Sequence, residues 1–137
     1  MTTEISETDR QTGLASYVGQ ARALLDEELA ASGHDCTPEL RDLYLVLVLL
    51  DPESTPTYLP DATSDEAFPS LADVHDCWAI WRLNTRPTHG DLVPFPELSA
   101  ETAAYDIPFV DAIRRARLRF AEYIAARKFV AETRVQT

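Results

Sequence analysis

The chain has 137 residues, of which 45% are hydrophobic and 26% are charged. This length and composition suit one globular domain with a single core, and they exclude a disordered chain. The formal net charge of −11 disfavours binding to duplex DNA, because non-specific affinity for DNA comes from clustered cations that neutralise phosphates.

The N-terminal third predicts a short lead-in and then a helix. Residues 1–12 are polar, acidic and without apolar periodicity, so we expect a flexible N-terminal segment. A single helical domain should follow over residues 13–137. From Leu14 the apolar residues recur at helical spacing until Gly33, which is a typical C-terminal cap. The pattern predicts an amphipathic helix.

A second helix and a long loop are predicted next. Thr37 and Pro38 suit an N-cap and a first helical position, and apolar residues continue at helical spacing over about 38–50. Residues 51–69 hold four prolines among Ser, Thr and Asp, a composition that removes backbone donors and blocks helix. We expect this loop to wrap onto the core or to be functional.

A third helix is predicted over about residues 71–83, because Ser70 and Asp73 have the spacing of a capping box. Residues 85–97 carry three prolines and a glycine, so this stretch should be irregular. Within it, Leu92-Val93 could form a short strand.

The last third predicts one helical turn and a long terminal helix. Ser99 can cap the turn, and Asp106 and Pro108 can start the helix. The predicted fold class is therefore mainly α, with about four helices, long Pro-rich loops and at most a small β element. The predicted core contains one residue set from all parts of the chain: Leu25, Leu47, Trp78, Phe95, Phe109 and Phe120.

The apolar runs and the cysteines indicate the compartment. The longest apolar run, residues 43–50, is far shorter than the roughly 20 residues of a membrane span, and the acidic N-terminus is unlike a signal peptide. Cys36 and Cys77 have no CxxC spacing, and we expect both to be thiols without metal. These features predict a cytoplasmic protein with no membrane partner.

Two His-Asp-Cys tripeptides, at residues 34–36 and 75–77, raise the question of metal binding. Residues two apart on a helix point to nearly opposite sides, so a zinc site is disfavoured. A metal phosphohydrolase of the HD type, with His34, His75, Asp76 and Asp111 as ligands, is a minor alternative. The sequence has no glycine-rich phosphate loop and no nucleophile elbow, so catalysis is disfavoured, and we predict no cofactor.

Three segments between residues 70 and 125 resemble the RyR domain, the repeat module of ryanodine receptors. They are the helix that carries His75, Trp78 and Arg82, the segment 89–95, and Leu98-Ser99 followed by Asp106. The family's glycine- and tryptophan-rich stretch is shortened here to residues 83–88. The resemblance implies a small prokaryotic or phage-type member that binds a nucleotide-derived ligand.

The candidate site lies on the third helix. His75, Trp78 and Arg82 stand at i, i+3 and i+7, so an imidazole, an indole and a guanidinium share one face. This set can stack on a base and hold a phosphate. The alternative is structural: Trp78 anchors the core, His75 is a buried hydrogen-bonding residue, and Arg82 pairs with Asp106 or another acid.

The cations beyond the third helix complete the predicted site. The short loop 83–88 should bring Arg86 and His89 beside Arg82, and Arg114 or Arg115 should contribute from the terminal helix. Seven of the twelve Lys and Arg residues lie between 114 and 137. They either lie on solvated helix faces and pair with the acidic half of the chain, or they form a ligand or partner surface.

The function predicted from the sequence is a non-catalytic module that senses or sequesters a small anionic, nucleotide-like ligand. This ligand class is what the resemblance implies. The alternative is an acidic protein-interaction domain that engages a basic partner, in the manner of a nucleic-acid mimic. An oligomer is compatible with both functions.

Overall fold

The computed structural model describes residues 16–34, 36–85 and 90–136, with side chains up to residue 130. Four long helices form the fold, and the predicted mainly α class is confirmed. The flexible segment predicted for residues 1–12 lies outside the described residues. The helices are α1 (Tyr17–Ser32), α2 (Pro38–Leu49), α3 (Leu71–Thr85) and α4 (Ile107–Gln136).

Local hydrogen bonds set both ends of α1. The Gly19 amide donates to the Ser16 hydroxyl at 2.9 Å, so Ser16 is the N-cap. At the other end, Gly33 adopts a left-handed φ of 75° and its amide donates to the Ala30 carbonyl. The predicted glycine cap is confirmed, because a residue without Cβ enters this backbone region at little cost.

The starts of α2 and α3 also follow the predicted caps. The Thr37 hydroxyl accepts a hydrogen bond from the Leu40 amide at 3.2 Å, and Pro38 occupies the first turn. Ser70 and Asp73 form the capping box reciprocally, because the Asp73 amide donates to the Ser70 hydroxyl while the Ser70 amide donates to the Asp73 carboxylate. Three to four residues of sequence are enough to place each of these helix starts.

The segment between α3 and α4 contains no strand in its described part, residues 90–106. The prediction of a strand at Leu92-Val93 is wrong, because prolines 94 and 96 follow it and no partner strand is present among the described residues. The segment instead forms a short 3-10 turn, Phe95–Glu97, and a single helical turn, Ala100–Ala103, which the Ser99 side chain caps as predicted. A second 3-10 turn then leads into α4.

Helix α4 is the central element, since α1, α2 and α3 all pack against it. Leu25, Leu47 and Phe120 are buried in the core as predicted, while Trp78 and Phe109 are partly buried against its edge. Phe95 lies outside the core, and its ring packs against His75 with ring centres 6.3 Å apart. The core prediction was wrong for Phe95 because its short turn lies on the surface of α3.

Two buried arginines on α4 hold the irregular segment 51–69. Arg114 is 3% exposed and Arg117 is 2% exposed. Of the two alternatives for the C-terminal cations, that of solvated helix faces therefore does not apply to these two residues. It holds for Arg119, which pairs with Glu27 at 2.7 Å and also contacts Glu28.

All five N–H donors of Arg114 reach backbone carbonyl oxygens of the segment 51–69. The distances range from 2.7 to 3.3 Å. A guanidinium has five donors in a fixed fork, so the set of partners is complete. The acceptors are the carbonyl oxygens of Pro60, Asp61, Ser64, Ala67 and Pro69.

Arg117 closes the C-terminal end of α2. Its guanidinium donates to the carbonyl oxygens of Leu47 at 2.7 Å and Leu50 at 2.5 Å, and to Asp51 at 3.3 Å. The last carbonyls of a helix lack intrahelical partners and carry partial negative charge, so a buried cation satisfies both needs. The ring of Phe68 covers the guanidinium at 4.9 Å.

We predict that Arg114→Ala lowers the free energy of unfolding by about 3 kcal/mol or more, because buried carbonyls lose charge-assisted hydrogen bonds. The matched control is Arg115→Ala, which removes the neighbouring exposed arginine. Its effect should stay within about 0.5 kcal/mol. Urea unfolding of the three proteins measures both values. Equal effects of the two substitutions would contradict the structural role of Arg114.

Candidate functional site

An open cavity of about 500 Å³ lies where the start of α2, the second half of α3 and the start of α4 meet. Its walls are mostly apolar, and five of its described lining residues are aromatic. Such concave, aromatic-lined spaces with a few polar groups are typical of small-molecule sites. The lining residues are Cys36, Thr37, Leu40, Tyr44, Trp78, Trp81, Tyr105, Asp106 and Phe109, which we call the aromatic pocket.

Helical spacing places the indoles in the pocket. Trp78 and Trp81 are three residues apart on α3, so both side chains lie on one side of the helix. Leu40 and Tyr44 are one turn apart on α2, which begins at the Thr37 cap. The Tyr44 ring packs against the Phe109 ring of α4 with centres 5.7 Å apart. These contacts form the floor of the pocket from three separate helices.

The 3-10 turn Ala104–Asp106 supplies the rim. Tyr105 is 72% exposed although it lines the pocket, so its ring lies at the mouth. Asp106 is half-buried and brings a carboxyl group to the wall. The rim of the pocket therefore combines an exposed aromatic ring with a half-buried carboxyl group.

The Asp106 carboxyl receives no hydrogen bond within the part of the chain that the structure describes. Burial raises its pKa from 3.8 to about 6, and the nearby His75 acts in the opposite direction. Buried polar groups normally have partners, so a sheltered carboxyl that faces a cavity without one is a candidate for ligand binding. The same carboxylate contributes, after burial, to raising the pKa of the Tyr44 hydroxyl.

His75 is buried beside the pocket, and the segment between α3 and α4 provides its hydrogen-bond partner. Its Nε2 lies 2.8 Å from the Val93 carbonyl oxygen, which can only accept, so Nε2 carries the proton. The imidazole stacks on the Trp78 ring with centres 5.5 Å apart. This arrangement matches the structural alternative for His75, that of a buried hydrogen-bonding residue.

Arg82 stacks on the two indoles. Its guanidinium carbon lies 4.7 Å from the Trp81 ring centre and 5.7 Å from the Trp78 ring centre. No carboxylate of the described residues pairs with Arg82, so the suggested pairing with Asp106 is not formed. Cation–π attraction holds the guanidinium at the edge of the pocket. Its Nε is buried without a hydrogen-bond partner.

The structure brings only part of the predicted site together. His75, Trp78 and Arg82 lie together on α3. Arg114 does not join them, because its N–H donors are all hydrogen-bonded to backbone carbonyls and none is left for a ligand. Arg115 is exposed on α4. The predicted contributions of Arg86 and His89 lie outside the described residues.

Most of the pocket was missed by sequence reasoning. Trp81 had a usable signal, because it follows Trp78 by three residues on a predicted helix. Asp106 was considered as a helix start, as part of the RyR-like motif and as a partner for Arg82, but not as a pocket residue. Tyr44 lies far along the chain from Tyr105 and Phe109, and no local pattern joins it to them.

The proposed metal ligands are not brought together. Among residues 16–34, 36–85 and 90–130, no three His, Cys, Asp or Glu side chains are placed to hold a metal ion. The His34 ring packs against Phe109 with centres 5.7 Å apart, far along the chain from the His75 contact with Val93. The arrangement gives no support to the HD-type alternative.

Both cysteines are present as thiols. Cys36 is partly exposed and lines the aromatic pocket, whereas Cys77 is buried and its thiol donates weakly to the Leu43 carbonyl at 3.7 Å. Burial raises the pKa of Cys77 to about 11. Cys36 should therefore be the thiol that reacts first.

Comparison with protein families identifies the domain. A family model for a domain of unknown function, DUF7701, matches residues 16–118. The chain belongs to the DUF7701 family. The predicted RyR relationship is wrong, because this is the family that matches and no RyR domain model does. No curated protein and no solved structure matches the chain. All nine lining residues of the aromatic pocket lie within the DUF7701 segment.

No helix in the described part of this DUF7701 member is long and apolar enough to cross a membrane.

We predict that Asp106→Asn stabilises the protein at about pH 8 but not near pH 4. The pKa of Asp106 is 3.8 when unperturbed and about 6 in the fold, so in this window the folded state holds more protons than the unfolded state. Stability therefore falls as pH rises through the window, and the uncharged amide escapes this loss. We expect a gain of about 1 kcal/mol, discounted because water still reaches part of the carboxyl.

Urea unfolding of wild type and Asp106→Asn at both pH values measures the effect. The difference between the proteins should be present at the higher pH and vanish at the lower. A difference that does not change with pH would contradict the burial of the Asp106 charge.

Proposed function

We propose that this DUF7701 domain is a non-catalytic binding module that holds the planar ring of a small nucleotide-like molecule in the aromatic pocket. The observation that carries the proposal is an open cavity of about 500 Å³ with five aromatic rings in its wall. This volume lies within the range of about 300–1,000 Å³ that small-molecule sites occupy. The mainly apolar lining favours binding over catalysis.

Stacking supplies the affinity in this proposal. Each ring that stacks on an aromatic side chain contributes about 1–3 kcal/mol, and the contribution does not depend on the identity of the base. Trp78, Trp81 and Tyr105 offer surfaces at the wall and mouth of the pocket. A nucleobase-sized ring can therefore be held without a dense network of hydrogen bonds.

A phosphate, where the ligand carries one, would lie at the edge of the pocket. Inside the pocket it would meet the carboxyl of Asp106, which repels an anion. Arg82 is stacked on the indoles at the edge, and its planar fork suits bidentate contact with a phosphate. The ring would thus enter first and the charged end would stay outside.

The second proposed function is an acidic interaction domain. It is favoured by the net charge of −11, because residues 1–81 carry 16 acidic and 3 basic side chains. Such a surface attracts a basic partner over a distance and loses that attraction in salt. A cytoplasmic location is also part of the proposal, and it rests on the two cysteines, both of which are free thiols.

Both tryptophans of the chain line the aromatic pocket, so selectively excited tryptophan fluorescence reports on that site. We predict that a nucleoside or nucleotide from a panel of the common bases changes the emission in a saturable way. Tyr105→Ala should weaken that ligand about 5- to 150-fold, the equivalent of about 1–3 kcal/mol of stacking. The melting temperature should stay unchanged, because Tyr105 is largely exposed.

The matched control is Tyr17→Ala, which removes a tyrosine of similar exposure outside the pocket and should leave the affinity unchanged. Protection of Cys36 from a thiol reagent by the same ligand gives a second readout at the pocket wall. If no nucleoside or nucleotide changes the fluorescence or the melting temperature, the ring-binding proposal fails and the interaction domain becomes the better proposal.

A further inference from the structure

We infer that Asp106 determines which rings the aromatic pocket accepts, by selecting a planar ring that presents two adjacent N–H donors. This edge occurs in the neutral guanine base and in aryl amidinium cations. The inference rests on the proposed ring-binding function and names the ligand chemistry that the same pocket would prefer.

The first argument is the unused hydrogen-bonding capacity of Asp106. An ionised carboxylate accepts through two oxygens and donates nothing. None of the described residues donates to this carboxylate, although it is half-buried in the pocket wall. A ligand edge with two parallel N–H groups would satisfy both oxygens at once, as a bidentate pair.

The second argument is the set of groups around Asp106. His75 of α3 and Tyr44 of α2 interact with it electrostatically, and Cys36, which precedes α2, lines the same pocket. The Nε2 proton of His75 is committed to Val93. The Arg82 guanidinium of α3 stacks on Trp78 and Trp81, and no carboxylate of the described residues pairs with it. Asp106 therefore stays available to a ligand.

The third argument concerns the rings that Asp106 would reject. A ring that presents carbonyl oxygens or bare ring nitrogens would place lone pairs against the half-buried carboxylate and leave it without a donor. A site that leaves a buried polar group unpaired discriminates strongly against the analogue that lacks the matching group. We expect at least a tenfold preference for the donor edge.

Two matched pairs of probes test the selection by tryptophan fluorescence at about pH 8. Guanosine presents an N–H and an adjacent amino group, whereas inosine lacks the amino group. Benzamidine presents a cationic amidinium, whereas benzamide is its neutral analogue. In wild type, the first member of at least one pair should bind at least tenfold tighter than the second. The pair that discriminates shows whether the preferred edge is neutral or cationic.

The variant Asp106→Asn keeps the shape of the side chain and removes the charge and one acceptor. It should reduce the preference to less than about threefold while the weaker member of each pair still binds. Lowering the pH through about 6 should weaken guanosine or benzamidine in wild type, because a protonated carboxyl is a poorer acceptor, and should leave the variant unchanged.

The outcomes separate the two proposals. If the rings bind to wild type with equal affinity within each pair, or if Asp106→Asn keeps the preference, the assignment of Asp106 is overturned and ring binding stands. If none of the four probes and no member of the nucleotide panel binds, both proposals fail together.

Discussion

The guanidinium groups of Arg114 and Arg117 hold the irregular segment 51–69 onto α4, the longest helix of this fold. Sixteen of the nineteen residues of the segment 51–69 lie outside any helix or strand, since only Pro52–Ser54 form a short 3-10 turn, yet their carbonyl oxygens need partners where they are buried. Arg114 donates to five of those carbonyl oxygens, and Arg117, one turn further along α4, donates to the Asp51 carbonyl and the Thr55 hydroxyl of the same segment. A proline-rich segment can thus cover a helical core without regular secondary structure.

The same helix that carries Arg114 and Arg117 also carries a residue of the aromatic pocket. Asp106 and Phe109 lie at the start of that helix, and Arg114 follows within two turns. Fixing Arg114 against the segment 51–69 fixes the rotation of α4 about its axis, so Phe109 keeps its contact with Tyr44. The pocket floor is therefore continuous with the core, to which Tyr44 belongs and against which Phe109 packs, whereas Tyr105 at the rim is exposed.

The half-buried charge of Asp106 lowers the stability of the fold, and Asp106 is also the residue that we propose selects the ligand. Its pKa is raised because burial disfavours the charge, and no described residue compensates by donating a hydrogen bond. A group that would be replaced if stability alone mattered is often retained at a functional site. The carboxyl, the indoles and Arg82 belong to one surface of the domain, which is why ring binding and selection by Asp106 are proposed together.

The sequence by itself determined the elements of this protein. Helix starts such as Thr37 and Ser70, and the glycine end of α1, depend on hydrogen bonds between residues two to four apart, so local spacing was enough to predict them. The group of His75, Trp78 and Arg82 was predictable for the same reason, because one helix carries all three. The short motifs around them were not sufficient to identify a family, and the RyR prediction failed.

Only the tertiary structure determined which residues from distant segments contact each other and where the pocket forms. The five acceptors of Arg114 lie 45 to 54 residues away from it, and nothing near Arg114 distinguishes it from the exposed Arg115. The pocket joins residues from Cys36 to Phe109, and Asp106 is sheltered only because three helices meet around it. Burial, which fixes both the pKa of Asp106 and the partners of Arg114, depends on packing between distant segments and is not encoded in local periodicity.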